Sequence, residues 1–225
     1  MGLQCYIFGF NYTTNLIMKK LENIDFLIFD LGNVIIDIDY DFSINELKKL
    51  LPEHKFELTN QFFPSSIHKD YERGLITSEQ FRNEIRLMFQ EDFTDAQIDH
   101  VWNSLLKDIP RERIDLLNEL RKIYGTAVLS NTNEIHIDKF DELLKEQTGI
   151  SSINTLCDKV FLSHKMGLAK PDPAVYLSAL SDIGIPANRV LFFDDLLANL
   201  EGAKSVGIHT HHINHKKGLV EFFEI

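Results

Sequence analysis

The chain has 225 residues, of which 44% are hydrophobic and 25% charged, as is typical of a globular protein with one or two domains. Its formal net charge of −11 argues against nucleic acid as the main partner, because phosphate backbones are bound by clustered Lys and Arg. Cys5 and Cys157 are the only cysteines, which excludes a disulfide framework or a Cys-rich metal site and leads us to expect a cytoplasmic protein.

The first 22 residues contain an apolar stretch that is interrupted by Asn and Thr and followed, not preceded, by the pair Lys19 and Lys20. This order does not match a secretory signal, and the apolar stretch is too short to span a bilayer. We therefore expect residues 1–22 to form a peripheral extension, and we expect no membrane partner.

Residues 39–107 show helical patterns without strand candidates. Thr77 is followed by Gln80, and Thr94 by Gln97, which is the spacing of the capping box at helix N-termini. The apolar residues after each cap recur at helical spacing and fall on one face. We interpret this region as a small helical bundle.

Strand and helix patterns alternate elsewhere, which predicts a parallel sheet with helices on both faces. This core comprises residues 23–38 and 108–225. The predicted strands are residues 26–29, 126–130, 159–163, 189–195 and 209–213.

Polar side chains follow four of these strands, at the sheet edge where ligands bind in α/β proteins. The candidates are Asp30, Ser130, Asn131, Lys170 and the acidic pair Asp194 and Asp195. Taken singly, Asp30 and Ser130 also fit a helix cap or turn, and Lys170 also fits a solvated surface position. Their convergence at one edge is what indicates a functional site.

The candidates together predict a site for phosphoryl transfer. Two adjacent carboxylates repel each other, and Mg²⁺ is a suitable compensation because it prefers oxygen ligands and accompanies substrate phosphate. Asp30 would attack phosphorus and form an aspartyl-phosphate. Ser130, Asn131 and Lys170 would bind the phosphate oxygens as charge develops on them.

Four motifs in order resemble those of the haloacid-dehalogenase (HAD) superfamily of phosphatases: "FDLGNV", "VLSNTN", "GLAKPDP" and "VLFFDDLLANLEGA". The resemblance covers about residues 25–213. It implies an α/β fold with a Rossmann-like parallel sheet core, and it identifies the helical bundle as a cap over the site. It also implies Mg²⁺ held by Asp30, the backbone carbonyl of Gly32 and Asp195. Asp194 would act mainly through water.

The segment "YERGLITSEQF" is similar to the cap of a HAD subgroup with an Asp-Leu-Gly-Asn-Val signature. That subgroup includes bacterial alpha-D-glucose-1-phosphate phosphatases and lies near the N-terminal phosphatase domain of soluble epoxide hydrolases. By this resemblance Glu72 and Arg73 are candidates to face the substrate. A plain surface loop is the alternative for this segment.

Gly32 departs from the family pattern, because most family phosphatases carry a second Asp there that acts as general acid and base. General acid–base help is commonly worth about 10²–10⁴-fold. We therefore expect leaving groups that need little protonation, such as the anomeric oxygen of a sugar 1-phosphate. Asp37 and Asp39 could replace the acid through water, although solvated loop carboxylates are the simpler interpretation.

The leading hypothesis is a Mg²⁺-dependent phosphatase that acts on a small phosphorylated metabolite. The alternatives are a catalytically weak phosphometabolite-binding or signalling protein, a mutase and a haloacid dehalogenase. The missing acid at Gly32 counts against the mutase, and the uncompensated acidic pair counts against the dehalogenase. The cluster from His209 to His215 suggests a zinc site, but no acidic or Cys partner is nearby in sequence, so we do not favour it.

Overall fold

The computed structural model describes residues 6–8, 16–18 and 21–224 of the chain. Two short strands, β1 (Tyr6–Phe8) and β2 (Leu16–Met18), pair antiparallel in a sheet of their own. The other residues before residue 21 lie outside the described ones, so the peripheral position of the 1–22 extension stays a prediction.

The main sheet consists of five parallel strands. They are β3 (Phe26–Phe29), β4 (Gly125–Ser130), β5 (Lys159–Leu162), β6 (Val190–Asp194) and β7 (His209–His212). Their order across the sheet is β5-β4-β3-β6-β7, so β3 is central. Phe29 pairs with Val128 and with Phe193, which brings the carboxyl ends of three strands together. The predicted parallel α/β fold is confirmed.

The helices belong to two groups, one before β4 and one interleaved with the later strands. The first group is α1 (Tyr40–Leu50), α2 (Ser66–Glu72), α3 (Ser78–Phe89), α4 (Asp95–Asn103) and α5 (Arg111–Leu120). The second is α6 (Glu134–Thr148), α7 (Ser163–Met166), α8 (Pro173–Ile183), α9 (Leu197–Ser205) and α10 (Gly218–Phe223). None of these helices is long and apolar enough to cross a bilayer.

Two of the helix starts confirm the capping boxes expected from the sequence. Thr77 and Thr94 are the N-caps of α3 and α4, and each side chain accepts a hydrogen bond from the backbone N–H three residues later. The side-chain oxygens of Gln80 and Gln97 in turn accept a hydrogen bond from the backbone N–H of the cap residue, at 2.9 Å in both helices. Each box satisfies two N–H groups that the first helical turn would otherwise leave without a partner.

Helices cover both faces of the main sheet. Leu27 and Phe29 of β3 pack in a layer with α5, α6 and α10, whereas Phe26 and Ile28 pack in a layer with α8 and α9. This alternation follows from the two-residue period of a strand, and it buries every side chain of β3. A strand buried on both faces explains the uninterrupted apolar run before Asp30.

Helices α1 to α4 and the 3-10 segment Glu53–Gln61 form a second body that we call the cap. Its core is aromatic, with Phe62, Phe81 and Trp102 fully buried among aliphatic side chains. Ile135 of α6 belongs to the same cluster, so the cap packs on the start of α6. The boundaries 39–107 that we assigned to it remain a prediction.

Candidate active site

Three carboxylates meet where β3 and β6 end side by side. The N–H of Asp30 donates to the carbonyl of Phe193 at 2.8 Å, which continues the pairing of the two strands. Asp194 is the last residue of β6, and Asp195 follows it. One oxygen from each of the three carboxylates lies within 4.8 Å of the others, and among the described residues no other His, Cys, Asp or Glu group is arranged to hold a metal.

Lys170 enters this group from the loop between α7 and α8. Its Nζ lies 2.7 Å from Oδ1 of Asp30 and 2.6 Å from Oδ2 of Asp194. The side chain is 1% exposed, so both contacts are shielded from water. The structure therefore brings together four side chains that are up to 165 positions apart in the sequence.

Asn131 fixes the loop that carries Lys170. Its Nδ2 donates to the carbonyl of Lys170 at 2.9 Å, and its Oδ1 accepts from the N–H of Lys170 at 2.8 Å. The side-chain amide is used in this pair of bonds. Nδ2 has a second N–H, which these two bonds leave unused.

The charges at the site do not balance without a further cation. Burial raises the pKa of Asp30 to about 7, Lys170 opposes that rise, and the charges of Asp194 and Asp195 add to it. Burial lowers the pKa of Lys170, but Asp30 and Asp194 outweigh it and raise the value, so Lys170 remains an ammonium. A nucleophilic carboxylate must be ionised, and a divalent cation beside Asp30 would keep it so.

The two members of the acidic pair have different surroundings. Asp194 is fully buried and accepts hydrogen bonds from Nδ2 of Asn199 at 3.0 Å and from the N–H of Leu196 at 2.8 Å, besides its contact with Lys170. Asp195 is only partly buried, and Nδ2 of Asn33 donates to its Oδ2 at 2.9 Å. Asp195 is therefore the more accessible carboxylate of the pair, while Asp194 is the one in contact with Lys170.

Ser130 ends β4 and lines a cavity of about 60 Å³. Gly32, Asn131 and Glu72 line the same cavity. Arg73 is exposed at the C-terminal end of α2 and does not line it. Of the two cap candidates, the structure thus places only Glu72 against the core site.

Sequence reasoning missed two further residues of this cavity, Tyr40 and His68. Tyr40 begins α1 and is half exposed. The Nε2 of His68 lies 3.1 Å from Oε1 of Glu72. A His four positions before a candidate Glu in a helix is a signal that could have identified this pair, because such residues are neighbours on one helix face.

Asp37 was wrongly expected to be a solvated loop carboxylate. It is buried, and it forms ion pairs with Nη2 of Arg113 at 2.9 Å and with Nζ of Lys216 at 2.7 Å. Asp39 is exposed as expected, but it is the N-cap of α1 and accepts from the N–H of Phe42 at 2.9 Å. Both carboxylates therefore have partners within the fold, two cations for Asp37 and the start of α1 for Asp39.

The histidines of β7 do not converge on a metal-binding geometry among the described residues. His209 and His212 contact the backbone carbonyls of Asn188 and Asp195 through Nε2, at 3.1 and 3.0 Å. The ring of His211 packs against that of Phe222, with centroids 4.2 Å apart. These side chains thus support the edge of the sheet.

Comparison with known proteins agrees with this geometry. The family model of haloacid dehalogenase-like hydrolases matches residues 24–207. The chain is also 26% identical over 184 residues to a D-ribitol-5-phosphate phosphatase of Bacteroides thetaiotaomicron, which corresponds to 82% of this chain and 89% of that protein.

Solved structures show the same likeness. The wild-type HAD family enzyme bt-2542 of Bacteroides thetaiotaomicron, in complex with magnesium and inorganic phosphate, is 36% identical with a TM-score of 0.76, and the match covers 84% of this chain and 93% of that one. A HAD-like family hydrolase of Porphyromonas gingivalis is 29% identical with the same TM-score of 0.76, over 84% and 90% of the two chains. This chain belongs to the haloacid dehalogenase-like hydrolases.

Proposed function

We propose that this protein is a Mg²⁺-dependent phosphatase that hydrolyses a small phosphorylated metabolite through an aspartyl-phosphate on Asp30. The observation that carries the proposal is the position of Lys170, whose Nζ is held between Asp30 and Asp194 at 2.7 and 2.6 Å. A buried ammonium in contact with the nucleophile is also in reach of the oxygens of a phosphoryl group bound to it.

In the first step, an oxygen of Asp30 forms a bond to phosphorus while the bond between phosphorus and the leaving oxygen breaks. The leaving oxygen takes a proton from water, because Gly32 offers no acid at the usual position. In the second step, water attacks phosphorus, the bond from phosphorus to Asp30 breaks, and the released proton goes to solvent. Lys170 and Ser130 stabilise the charge on the phosphoryl oxygens in both steps.

The donor set at the site fits Mg²⁺. Asp30 and Asp195 would supply carboxylate oxygens to the metal, and the carbonyl of Gly32 is the third ligand we assign. When bound, the metal screens the repulsion between the carboxylate of Asp30 and the negatively charged phosphate. The magnesium in the bt-2542 complex supports the same choice of metal.

We infer that the substrate is a phosphorylated sugar or sugar alcohol. The relative that acts on D-ribitol 5-phosphate supports this class. Gly32 favours a sugar 1-phosphate within it, because the anomeric oxygen is a better leaving group than an ordinary alcohol. Ribitol 5-phosphate is an ester of a primary alcohol, so these two lines of support point to different members of the class.

The decisive experiment compares wild type with Asp30→Asn on p-nitrophenyl phosphate and a panel of sugar and sugar-alcohol phosphates, with Mg²⁺ and with a chelator. Asn keeps the volume of the side chain but cannot attack, so we expect turnover to fall at least about 10⁴-fold. Phosphate release that persists in Asp30→Asn, or full wild-type activity in the chelator, contradicts the proposal. Circular dichroism of the variant establishes that it is folded.

A further inference from the structure

Glu72 of the cap is held in a fixed position over the core site. Its backbone carbonyl accepts a hydrogen bond from Oγ of Ser163 at 2.5 Å, and the same Oγ accepts from the N–H of Thr132 at 2.9 Å. Thr132 belongs to the loop of Ser130, and it lines the same cavity as Glu72. A change in the position of Glu72 would therefore break contacts on both sides of the boundary between cap and core.

His68 determines the charge of this region. Its Nδ1 lies 2.6 Å from the carbonyl of Phe63, and its Nε2 lies 3.1 Å from Oε1 of Glu72. A carbonyl and a carboxylate only accept hydrogen bonds, so both contacts are favourable together when both ring nitrogens carry a proton, and we assign the ring as an imidazolium in the folded protein. Burial lowers the pKa of His68, but Glu72 and the Phe63 carbonyl outweigh that effect and raise it. The ring of Trp102 packs edge-on against His68 at 5.0 Å and fixes its orientation.

The contact with His68 uses one oxygen of Glu72, whose side chain lines the cavity. Oε1 of Glu72 is used by His68, and within the part of the chain that the structure describes Oε2 makes no hydrogen bond or ion pair. The cavity is otherwise lined mainly by apolar side chains. They include Ile36 and Ile38 of the core together with Phe63, Leu105 and Leu106.

The other histidine that lines the cavity, His136, uses both of its ring nitrogens in contacts within the fold. Its Nε2 is 3.0 Å from the carbonyl of Trp102, and its Nδ1 is 3.1 Å from Nδ2 of Asn133. The carbonyl requires a proton on Nε2, and the amide N–H then donates to Nδ1. His136 is thus a neutral ring with both nitrogens used, and Glu72 is left as the strong acceptor of the cap wall.

We propose that Glu72, positioned by His68, is the specificity residue that accepts a hydrogen bond from a hydroxyl of the leaving group, so that the substrate is a neutral polyol carrying one phosphate. This inference rests on the proposed phosphatase function. An isolated carboxylate would also suit an ammonium group. Because the His68 imidazolium compensates the charge of Glu72, the pair as a whole favours a neutral donor over a cation.

A matched pair of substrates tests the inference. D-ribitol 5-phosphate and n-pentyl phosphate are both phosphate esters of five-carbon primary alcohols, and only the first carries further hydroxyl groups. We expect wild type to prefer ribitol 5-phosphate in kcat/KM, and Glu72→Ala to reduce that preference at least about tenfold, since a site built for a hydroxyl discriminates strongly. Lys69→Gln, an exposed change on the same helix, is the control and should leave the preference unaltered.

His68→Asn tests the positioning role, because it removes the compensating charge. We expect the ratio of kcat/KM for phosphoethanolamine to that for ribitol 5-phosphate to rise several-fold, as Glu72 becomes an uncompensated anion. A purely structural role for His68 would lower both values together and leave the ratio where it was, and that outcome overturns the role of His68.

An unchanged preference in Glu72→Ala, or equal wild-type rates on the two five-carbon esters, overturns the role of Glu72. Hydrolysis of p-nitrophenyl phosphate that depends on Asp30, without hydrolysis of ribitol 5-phosphate, also overturns this inference while the phosphatase proposal stands. If neither compound nor any phosphate ester is hydrolysed, the phosphatase proposal itself fails.

Discussion

At the scale of single residues, the carboxylates of the site carry more negative charge than its one lysine compensates. Lys170 supplies one positive charge against the carboxylates of Asp30, Asp194 and Asp195. The pKa of Asp195 is also raised, chiefly by burial and also by the charge of Asp194, although Asn33 and Lys170 oppose this. Removing two excess negative charges requires either protons or a divalent cation, and only the cation leaves Asp30 ionised.

Mg²⁺ should therefore stabilise the folded protein through Asp195. A ligand present at 100 times its Kd adds about 2.7 kcal/mol to the free energy of unfolding, which in a chain of this size raises Tm by about 5–10 °C. We expect this shift in wild type and a much smaller one in Asp195→Asn, measured by calorimetry with and without Mg²⁺. Asp182→Asn, at an exposed carboxylate on α8, is the control. The same shift in wild type and Asp195→Asn would exclude Asp195 as a ligand.

Gly32→Asp should add the missing general acid. The backbone at Gly32 does not have positive φ, and a Cβ there would meet only the flexible end of Ile38, with Cδ1 at 3.1 Å. We expect the ratio of kcat/KM for glucose 6-phosphate to that for glucose 1-phosphate to rise at least about tenfold, because only the ordinary alcohol needs protonation. Gly32→Asn has the same size without the acid. If both variants give the wild-type ratio, Gly32 does not govern substrate choice.

At the scale of elements, the cap is joined to the core around the start of α6 and along α7. The hydroxyl of Tyr71 accepts from the N–H of Ile135 at 3.3 Å, and the hydroxyl of Ser78 donates to Oε2 of Glu134 at 2.6 Å. Both bonds connect the segment "YERGLITS" to the first turn of α6. This segment therefore serves two purposes. Tyr71 and Ser78 attach the cap to the core, and Glu72 makes the substrate contact that we propose.

Gly74 lies at a close approach between cap and core. It has φ of +68°, and a Cβ there would lie 2.1 Å from the backbone oxygen of His164. Gly167 has the same φ of +68° with nothing within 4 Å of its Cβ position, so it is a matched control. Alanine at either position incurs the left-handed strain of about 1–2 kcal/mol. Only Gly74→Ala adds the steric clash.

We therefore expect Gly74→Ala to lower the free energy of unfolding by about 2 kcal/mol more than Gly167→Ala does, as measured by urea denaturation. Its kcat/KM should also fall, because the cap can no longer seat on α7. Equal destabilisation by the two variants would show that the contact with His164 does not hold the cap in place.

At the scale of the whole molecule, docking of the cap couples stability to pH through His136. This ring, on α6 of the core, stacks on Trp102 of the cap with centroids 4.9 Å apart. Burial lowers the pKa of His136 to about 4, against an unperturbed value near 6.5. Between these values the unfolded chain binds a proton that the folded protein does not, so stability is lost as pH falls from about 6.5 to 4.

The loss should reach about 2–3 kcal/mol at the low end of that range. Urea unfolding followed by the fluorescence of Trp102, the single Trp of the chain, measures it between pH 7.5 and 4.5. His136→Gln should be less stable at pH 7.5 but should lose less stability on acidification. His68, with its raised pKa, acts in the opposite direction, which is why the difference between wild type and variant is the quantity to compare. Parallel pH curves for the two proteins would contradict the assignment.

Local patterns in the sequence predicted much of the architecture. The run Phe26–Phe29 predicted a strand buried on both faces, and it is central in the sheet. Thr77 and Thr94 predicted the starts of two helices to the residue, because a cap and its partner are only three positions apart. The polar residues at strand ends predicted where a site would form, because parallel strands align their carboxyl ends.

Other features depended on contacts between distant parts of the chain. Asp37 was misjudged because its partners Arg113 and Lys216 are 76 and 179 residues away. The contact that fixes the loop of Lys170 is a second case, because nothing in the sequence reveals that the side-chain amide of Asn131 bonds to the backbone of Lys170, 39 residues away. In each case the deciding partner was fixed by packing and not by neighbouring residues.

The amino-acid sequence by itself determined the class of the fold, the helix caps and the set of polar residues at the sheet edge, because each depends on periodicity or spacing within one element. Only the tertiary structure decided the order of the strands, the different burial and partners of Asp194 and Asp195, and the pairing of His68 with Glu72 beside the cavity. These features depend on which side chains are buried together, because burial shifts the pKa of a charged group and makes a polar group without a hydrogen bond costly. Burial arises only when segments far apart in the chain exclude water together.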